Sequence, residues 1–314
     1  MDSDAAKGRV ALINAGWEIT DGGAYIQFAS VEMTINVNAG DTFSISPQGG
    51  PNNFKIDWGD GNGFVGDPNN SGANYTGSSF TATSPAYASG GNKTVKICED
   101  ASQYIHSLSQ NWNGPSSGDR SKIINIPNWG SNSWRNLYRT FFECDNLVMN
   151  TTTIPNLANG PSLSGMFYRC DGDFTNSNIG NWNMTTITRI DSMFQQASNF
   201  NVDVSGWDVS NVSNMSAFTY QASSFNQDLS SWNVANVTNT YLAFGLTSFN
   251  HYLPWALNTS ANPPDPYYLT SIFSGSAMST NNYTDTIVYW ANFVKNQTPD
   301  APLNDRDWET IVSV

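Results

Sequence analysis

The sequence is poor in charge. Only 12% of its residues are Asp, Glu, Lys or Arg, about half the usual share. Glutamate is confined to Glu18, Glu32, Glu99, Glu143 and Glu309, and histidine to His106 and His251. Neither histidine has a Ser or Cys nucleophile in a recognisable context. There is no H-E-x-x-H, no phosphate loop and no C-x-x-C. A paired-carboxylate glycosidase needs two carboxylates about 5–9 Å apart across a cleft, and aspartates such as Asp203, Asp208 and Asp228 follow a repeat instead. The expectation is a protein without catalytic residues. Cysteine is scarce too. Cys98, Cys144 and Cys170 make neither a disulfide framework nor a zinc set. No run approaches the ~20 apolar residues of a membrane span. The start, Met1-Asp-Ser-Asp-Ala-Ala, lacks a basic-then-apolar leader. A removed leader, a longer parent chain and release by lysis are the readings that follow.

Positive charge is the scarcer sign: 13 Lys and Arg against 26 Asp and Glu, a net charge of −13. An acidic surface repels phosphate backbones and anionic lipid, so neither nucleic acid nor a membrane surface is an expected partner. Solubility in a salty medium accounts for the charge, with a cation-dependent partner as the sharper reading.

What the chain has is aromatic side chains, 13% of the total, among abundant Asn, Ser, Thr and Gly. That mixture favours turns, strands and short helices. The 314 residues suggest two or so domains.

Periodicity is the strongest signal. Ile179-Gly-Asn-Trp182, Val204-Ser-Gly-Trp207, Leu229-Ser-Ser-Trp232 and Tyr252-Leu-Pro-Trp255 align, with tryptophans 25, 25 and 23 residues apart. Ile154-Pro-Asn-Leu157 and Ile126-Pro-Asn-Trp129 extend the series backwards. A second column holds Phe141, Phe167, Phe194, Phe218, Phe244 and Phe273, with Met166 and Met193 before two of them. A third holds Phe174, Phe200, Phe225 and Phe249, the last three followed by Asn201, Asn226 and Asn250. Each unit is too short to bury its own apolar face, so stacked units must share one core built on Phe141, Phe167, Trp182, Phe194, Trp207, Phe218, Trp232, Phe244 and Trp255. Ser210-Asn-Val-Ser-Asn214 and Ala235-Asn-Val-Thr-Asn239 offer oxygens to cap a short helix carrying the Phe column. Asn ladders inside the coil would satisfy buried backbone groups. Cys144 and Cys170 share a small inward slot with Ala197, as buried free thiols, with a disulfide between neighbouring coils as the alternative.

Phe225-Asn-Gln-Asp-Leu-Ser-Ser-Trp-Asn-Val-Ala-Asn-Val-Thr-Asn239 resembles the repeat of BspA-type leucine-rich-repeat surface proteins, the DUF285 class. The F-x-x-C then Ile-Pro pattern of 141–155 resembles another repeat of that superfamily. The resemblance covers roughly residues 120–280. It implies a solenoid with a short strand and a short helix per coil, on a surface or secreted protein used for adhesion or display.

Residues 28–101 read as a β-sandwich. Met33-Thr-Ile-Asn-Val37, Thr42-Phe-Ser-Ile45, Phe54-Lys-Ile-Asp-Trp58, Ser79-Phe-Thr-Ala-Thr83 and Lys93-Thr-Val-Lys-Ile97 alternate with period two between Gly, Pro and Asn turns. Asp57-Trp-Gly-Asp-Gly-Asn62 resembles the W-G-D-G signature of PKD-type domains, with Trp58 in the core and Gly59 and Gly61 in turn conformations. Asp57, Asp60 and Asn62 are candidate Ca2+ ligands or, more economically, side chains that close a tight turn. No other cofactor is expected. The resemblance implies a spacer or contact module.

The division is therefore 1–27, a cap-like segment; 28–101, the PKD-like sandwich; 102–280, the repeat solenoid; and 281–314, a capping helix and tail. Helical spacing at Ile287, Trp290 and Val294 places the helix over the open end of the solenoid. Ala6 to Gly23 resembles the second half of such a cap, so copies of the chain or virion neighbours are expected to meet at the terminal half-caps. The expected function is recognition of a surface glycan or protein by an extracellular or cell-surface protein, with a phage virion component as the alternative. Off-column aromatics Tyr220, Tyr241, Tyr267 and Tyr268 are the candidate ligand contacts. Packing at coil edges is the competing account of each.

Overall fold

The structure, a computed structural model, describes residues 30–45, 48–61, 64–65, 75–79, 82–99, 119–130, 134–151, 153–258, 269 and 271–297. Its first part is built of antiparallel strands: β1 (Val31–Val37), β2 (Ser44–Ile45), β3 (Gln48–Asp57), β4 (Phe64–Val65), β5 (Tyr75–Ser79), β6 (Ala82–Thr83) and β7 (Gly91–Glu99). They are followed by β8 (Ile123–Asn128). The main sheet runs β4-β3-β7-β1-β8, with β5 also on β3, and β2 pairs β6 separately. The alternation of β1 is the cause of its placement. Val31, Met33, Ile35 and Val37 are buried, and Glu32, Thr34 and Asn36 face outward. Trp58 is fully buried edge-on to Phe43 at 6.5 Å. Tyr87 Oη donates to Trp58 O at 2.9 Å. Gly59 has φ +70°, and a Cβ there would sit 2.6 Å from Thr94 O, so only glycine fits beneath β7.

β8 belongs to both parts of the molecule. Its one edge pairs antiparallel with β1, and Asn125 bridges parallel to Val148, which bridges to Asp173. The expected boundary near 101 lies outside the described residues, and the sheet continues into the repeats through β8.

Beyond β8 the chain forms stacked coils. Asn136 bridges parallel to Ser162, and Arg189, Asn214 and Asn239 bridge in series. The hydrogen bonds follow one rule. The N–H groups of Ile190, Ser192, Phe194 and Gln196 donate to the carbonyls of Asn214, Ser216, Phe218 and Tyr220 in the next coil. Those of Met193, Gln195 and Ala197 donate to carbonyls three residues back. Half of the donors therefore leave for the neighbouring coil, and a short helix carrying the Phe column does not form. In its place the segment is a run of turns with left-handed residues, such as Ser192 at φ 55° and Gln196 at φ 60°. Regular strands are likewise reduced to single bridges between coils.

The same rule corrects the Phe column. Met215, Ala217, Thr219 and Gln221 donate to Asn239, Tyr241, Ala243 and Gly245. Thr219 therefore occupies the slot of Phe194, and Phe218 that of Met193. Every one of the nine proposed core aromatics is buried all the same. The Asn ladder is also corrected: Asn201 Oδ1 accepts from Asn226 N, and Asn226 Oδ1 from Asn250 N, each at 2.9 Å, but on the exposed side of the coils. An outer ladder follows because the interior is filled by rings.

The tryptophans are stacked at 6.3 Å for Trp207 and Trp232 and 6.5 Å for Trp232 and Trp255. Each indole Nε1 donates to a carbonyl of the preceding coil: Ile179, Val204 and Leu229. Helix α1 (Thr280–Gln297) closes the column, with Trp290 stacked on Trp255 at 6.1 Å.

Candidate functional site

Within each coil the residues around the left-handed positions alternate between core and surface. Leu137, Thr140, Phe141 and Cys144 are buried, whereas Tyr138, Arg139, Phe142 and Glu143 reach solvent. The pattern recurs at 191–196, 216–221 and 241–246. One outer face of the stack, the turn face, is thus a column of side chains held by the backbone ladder.

A chain of polar contacts runs along it. Arg120 Nη1 donates to Glu143 Oε2 at 2.5 Å, and Arg169 Nη1 to Glu143 Oε1 at 3.0 Å. Arg169 Nε donates to Gln196 Oε1 at 2.6 Å, and Gln196 Nε2 to Gln221 Oε1 at 2.5 Å. The hydrogen bond to Glu143 holds the Arg169 guanidinium above its ordinary range. Nearby, burial and then the Asp171 and Glu143 carboxylates push the Asp145 carboxyl up.

Beside this chain lie rings. Phe142 and Tyr168 stack at 5.1 Å. The Arg139 guanidinium lies 5.3 Å from both Tyr138 and Phe142 and 5.9 Å from Tyr168. Arg120 and Arg169 approach Phe142 and Tyr168 at 4.7 and 5.3 Å. The Arg139 stem crosses Gly165, where a Cβ would come within 3.0 Å of it. Arg189 is held by both Asp191 oxygens. Planar rings flanked by fixed guanidinium and amide groups can stack on apolar faces and hydrogen-bond to hydroxyls or carboxylates.

Of the four tyrosines expected to contact ligand, Tyr220 and Tyr241 lie on this face. Tyr241 is 49% exposed. Tyr220 is half-buried, its ring packed over Gly245, so it serves as a coil-edge contact. Tyr267 and Tyr268 lie outside the described residues. Tyr138, Phe142, Tyr168 and the arginines around them are the residues that sequence reasoning missed. Their signal was present: no Lys or Arg occurs from 190 to 294, whereas Arg120, Arg135, Arg139, Arg169 and Arg189 fall in the early coils.

Elsewhere, Asp57 Oδ1 accepts from Gly59 N at 2.8 Å, which closes the turn. Asn62 lies outside the described residues. Among the described residues no group of three His, Cys, Asp or Glu is placed to hold a metal. His251 Nε2 lies 3.2 Å from Asn226 O, and His106 is outside the described residues. Cys144 and Cys170 are free and buried, and burial raises both thiols. Asn211 and Asn236, each in an N-x-S/T triplet, donate their amides to Thr185 O and Ser210 O at 2.7 Å, which ties them to the previous coil. No helix among the described residues is long and apolar enough to cross a membrane.

Residues 161–282 match the family model described as "Mycoplasma protein of unknown function, DUF285". This stretch is similar to the DUF285 family. It takes in the coils that carry Trp182, Trp207, Trp232 and Trp255, and less than half of the chain. The arginine-rich turns at 138–143 precede the DUF285 match, while Tyr168, Arg169 and Arg189 fall inside it. No curated protein and no solved structure matches the chain.

Proposed function

We propose that the chain is a non-enzymatic recognition protein that works outside the cell, binding surface glycans or proteins through a leucine-rich-repeat-type solenoid. The strands of 31–99 act as a PKD-like spacer. The observation that carries this reading is the turn face, on which stacked coils hold exposed rings and polar groups at a fixed spacing. The DUF285 match supports the BspA-like kinship. A rigid array of this kind suits multivalent weak binding. It needs no catalytic step and no cofactor.

The test is to array the purified chain against glycans and extracellular proteins, and to locate it by peptide mass spectrometry of washed envelopes and of gradient-purified virus particles. Binding together with envelope peptides supports the reading. Stoichiometric peptides in virus particles replace surface display with a virion role, and the absence of any saccharide or protein ligand overturns recognition.

A further inference from the structure

Helix α1 covers the coils with one side and turns the other to solvent. Thr286, Trp290 and Val294 are its buried residues. Asp285, Val288, Tyr289, Asn292 and Lys295 are exposed. They recur at spacings of three and four residues, which sets them in one stripe along the side opposite Trp290. Val288 is 52% exposed and Tyr289 36%. Tyr252, itself 37% exposed, meets Tyr289 edge to face at 6.2 Å, and Phe293 stacks on Tyr289 at 6.5 Å. The stripe therefore has an apolar centre backed by packed rings.

Its two ends carry opposite charges. Asp285 and Lys295 lie ten residues apart (295 − 285), about 15 Å along the axis, too far to pair within one helix. Among the described residues neither joins an ion pair. Lys295 is the first Lys or Arg after Arg189. Asp285 lies beyond the first turn of α1, out of reach of the helix dipole.

We propose that two copies of the chain pair through this stripe, α1 against α1, antiparallel about a two-fold axis level with Trp290. The surface is complementary to itself in that arrangement. Asp285 meets Lys295 of the partner subunit at both ends, and Val288 and Tyr289 of the two copies meet in the middle. An apolar centre with a polar rim is the usual build of an interface, and one patch shared by both copies closes the assembly at two. Head-to-tail contact, the form expected for terminal half-caps, would run on to larger assemblies instead. One helix face and one flanking tyrosine make a small contact, below the about 1,200 Å2 of standard complexes, so the pair is weak and concentration-dependent. The pairing goes beyond the recognition reading and does not rest on it. It sets two turn faces in one particle, which suits multivalent binding.

The test is sedimentation equilibrium of the whole chain at low salt, up to about 0.5 mM, a concentration matched to a weak pair. A monomer–dimer equilibrium is expected, weaker in high salt. Val288→Asp, which places a charge in the apolar centre, should leave only monomer, with circular dichroism unchanged. Asp285→Lys and Lys295→Asp each turn both end pairs from attraction to repulsion and should raise the dissociation constant about tenfold. Mixed in equal amounts, these two variants should pair again, because every end contact in the mixed dimer joins a lysine to an aspartate. Only a contact between copies can give that rescue. A parent chain that stays monomeric overturns the proposal, as do assemblies larger than dimers. A dimer untouched by Val288→Asp lies elsewhere on the molecule and overturns it too. A mixture that pairs as weakly as its components overturns the antiparallel register.

Discussion

Phe194 and Phe218 meet edge to face, with ring centroids 5.7 Å apart and planes at 79°, whereas Phe141 with Phe167 and Phe167 with Phe194 stack within 14°. The difference is one of register. Phe218 sits one residue early, and Thr219 takes the stacking slot, fully buried, with Oγ1 donating to Ala243 O at 3.0 Å. Thr219→Phe alone overpacks and Phe218→Met alone loses ring contacts, each at a cost of about 1–3 kcal/mol. The double variant rebuilds the Met-Phe order of 193–194. It should cost less than the sum of the singles by about 1 kcal/mol or more, read from urea unfolding midpoints. Strict additivity would contradict the register.

That slip marks how far the repeat was legible. Ring identity and a spacing near 25 were enough to find the columns, because only stacking buries Trp207, Trp232 and Trp255 together. Spacings of 24 and 26 on either side of Phe218 hid its shift, since a Phe one position away is buried equally well. The turns were misread as helix because sequence composition does not disclose where N–H groups donate, and here every second one, as at Ile190 and Ser192, leaves for the next coil. The turn-face arginines were overlooked because each looks like an ordinary surface residue until the coils bring Arg139 over Tyr138 and Tyr168.

Acid should loosen the coils. Hydroxyl and then backbone hydrogen bonds from Thr175, Ser205 and Ser210 hold Asp173, Asp203 and Asp208 below the usual carboxylate range, and the Ser230 N–H chiefly does so for Asp228. A carboxyl depressed in the folded state stabilises it above the unfolded pKa of about 3.9. That contribution is lost as pH falls through the folded value. The melting temperature should be level near neutrality and fall below about pH 4. Asn183 and Asn233 make the same turn without a charge. The variant Asp203→Asn, Asp208→Asn should therefore keep its neutral-pH stability and show a shallower acid decline in a pH series of thermal melts.

The thiols of Cys144 and Cys170 report on the first coils. Both are buried, burial raises them, and Cys170 Sγ donates to Cys144 O at 3.0 Å. Thiolate is the reactive form, so neither should react with iodoacetamide at neutral pH in the folded protein. Peptide mapping after a brief pulse should find both unmodified in buffer and both modified in denaturing urea. Rapid labelling in buffer would mean that the first coils open readily.

The end of the stack offers a contrast between two tryptophans. Trp232 and Trp290 are both buried rings in one column, stacked to either side of Trp255. Trp232 Nε1 donates to Val204 O at 3.0 Å, while Trp290 Nε1 is buried without a partner among the described residues. Trp290→Ala opens the column and uncovers Trp255 and Phe273, at a cost of about 3–5 kcal/mol. Because helix α1 is what covers the stack there among the described residues, that variant should bind a dye selective for exposed apolar surface. Trp290→Phe keeps much of the stacking and relieves an unpartnered donor whose burial costs about 1–3 kcal/mol. It should lie within about 1 kcal/mol of the parent. Trp232→Phe loses a formed hydrogen bond as well as ring area, and should be the more damaging by about 1 kcal/mol. Urea denaturation of the three variants ranks them; a Trp290→Phe loss as large as that of Trp290→Ala would mean the indole N–H is held by a partner after all.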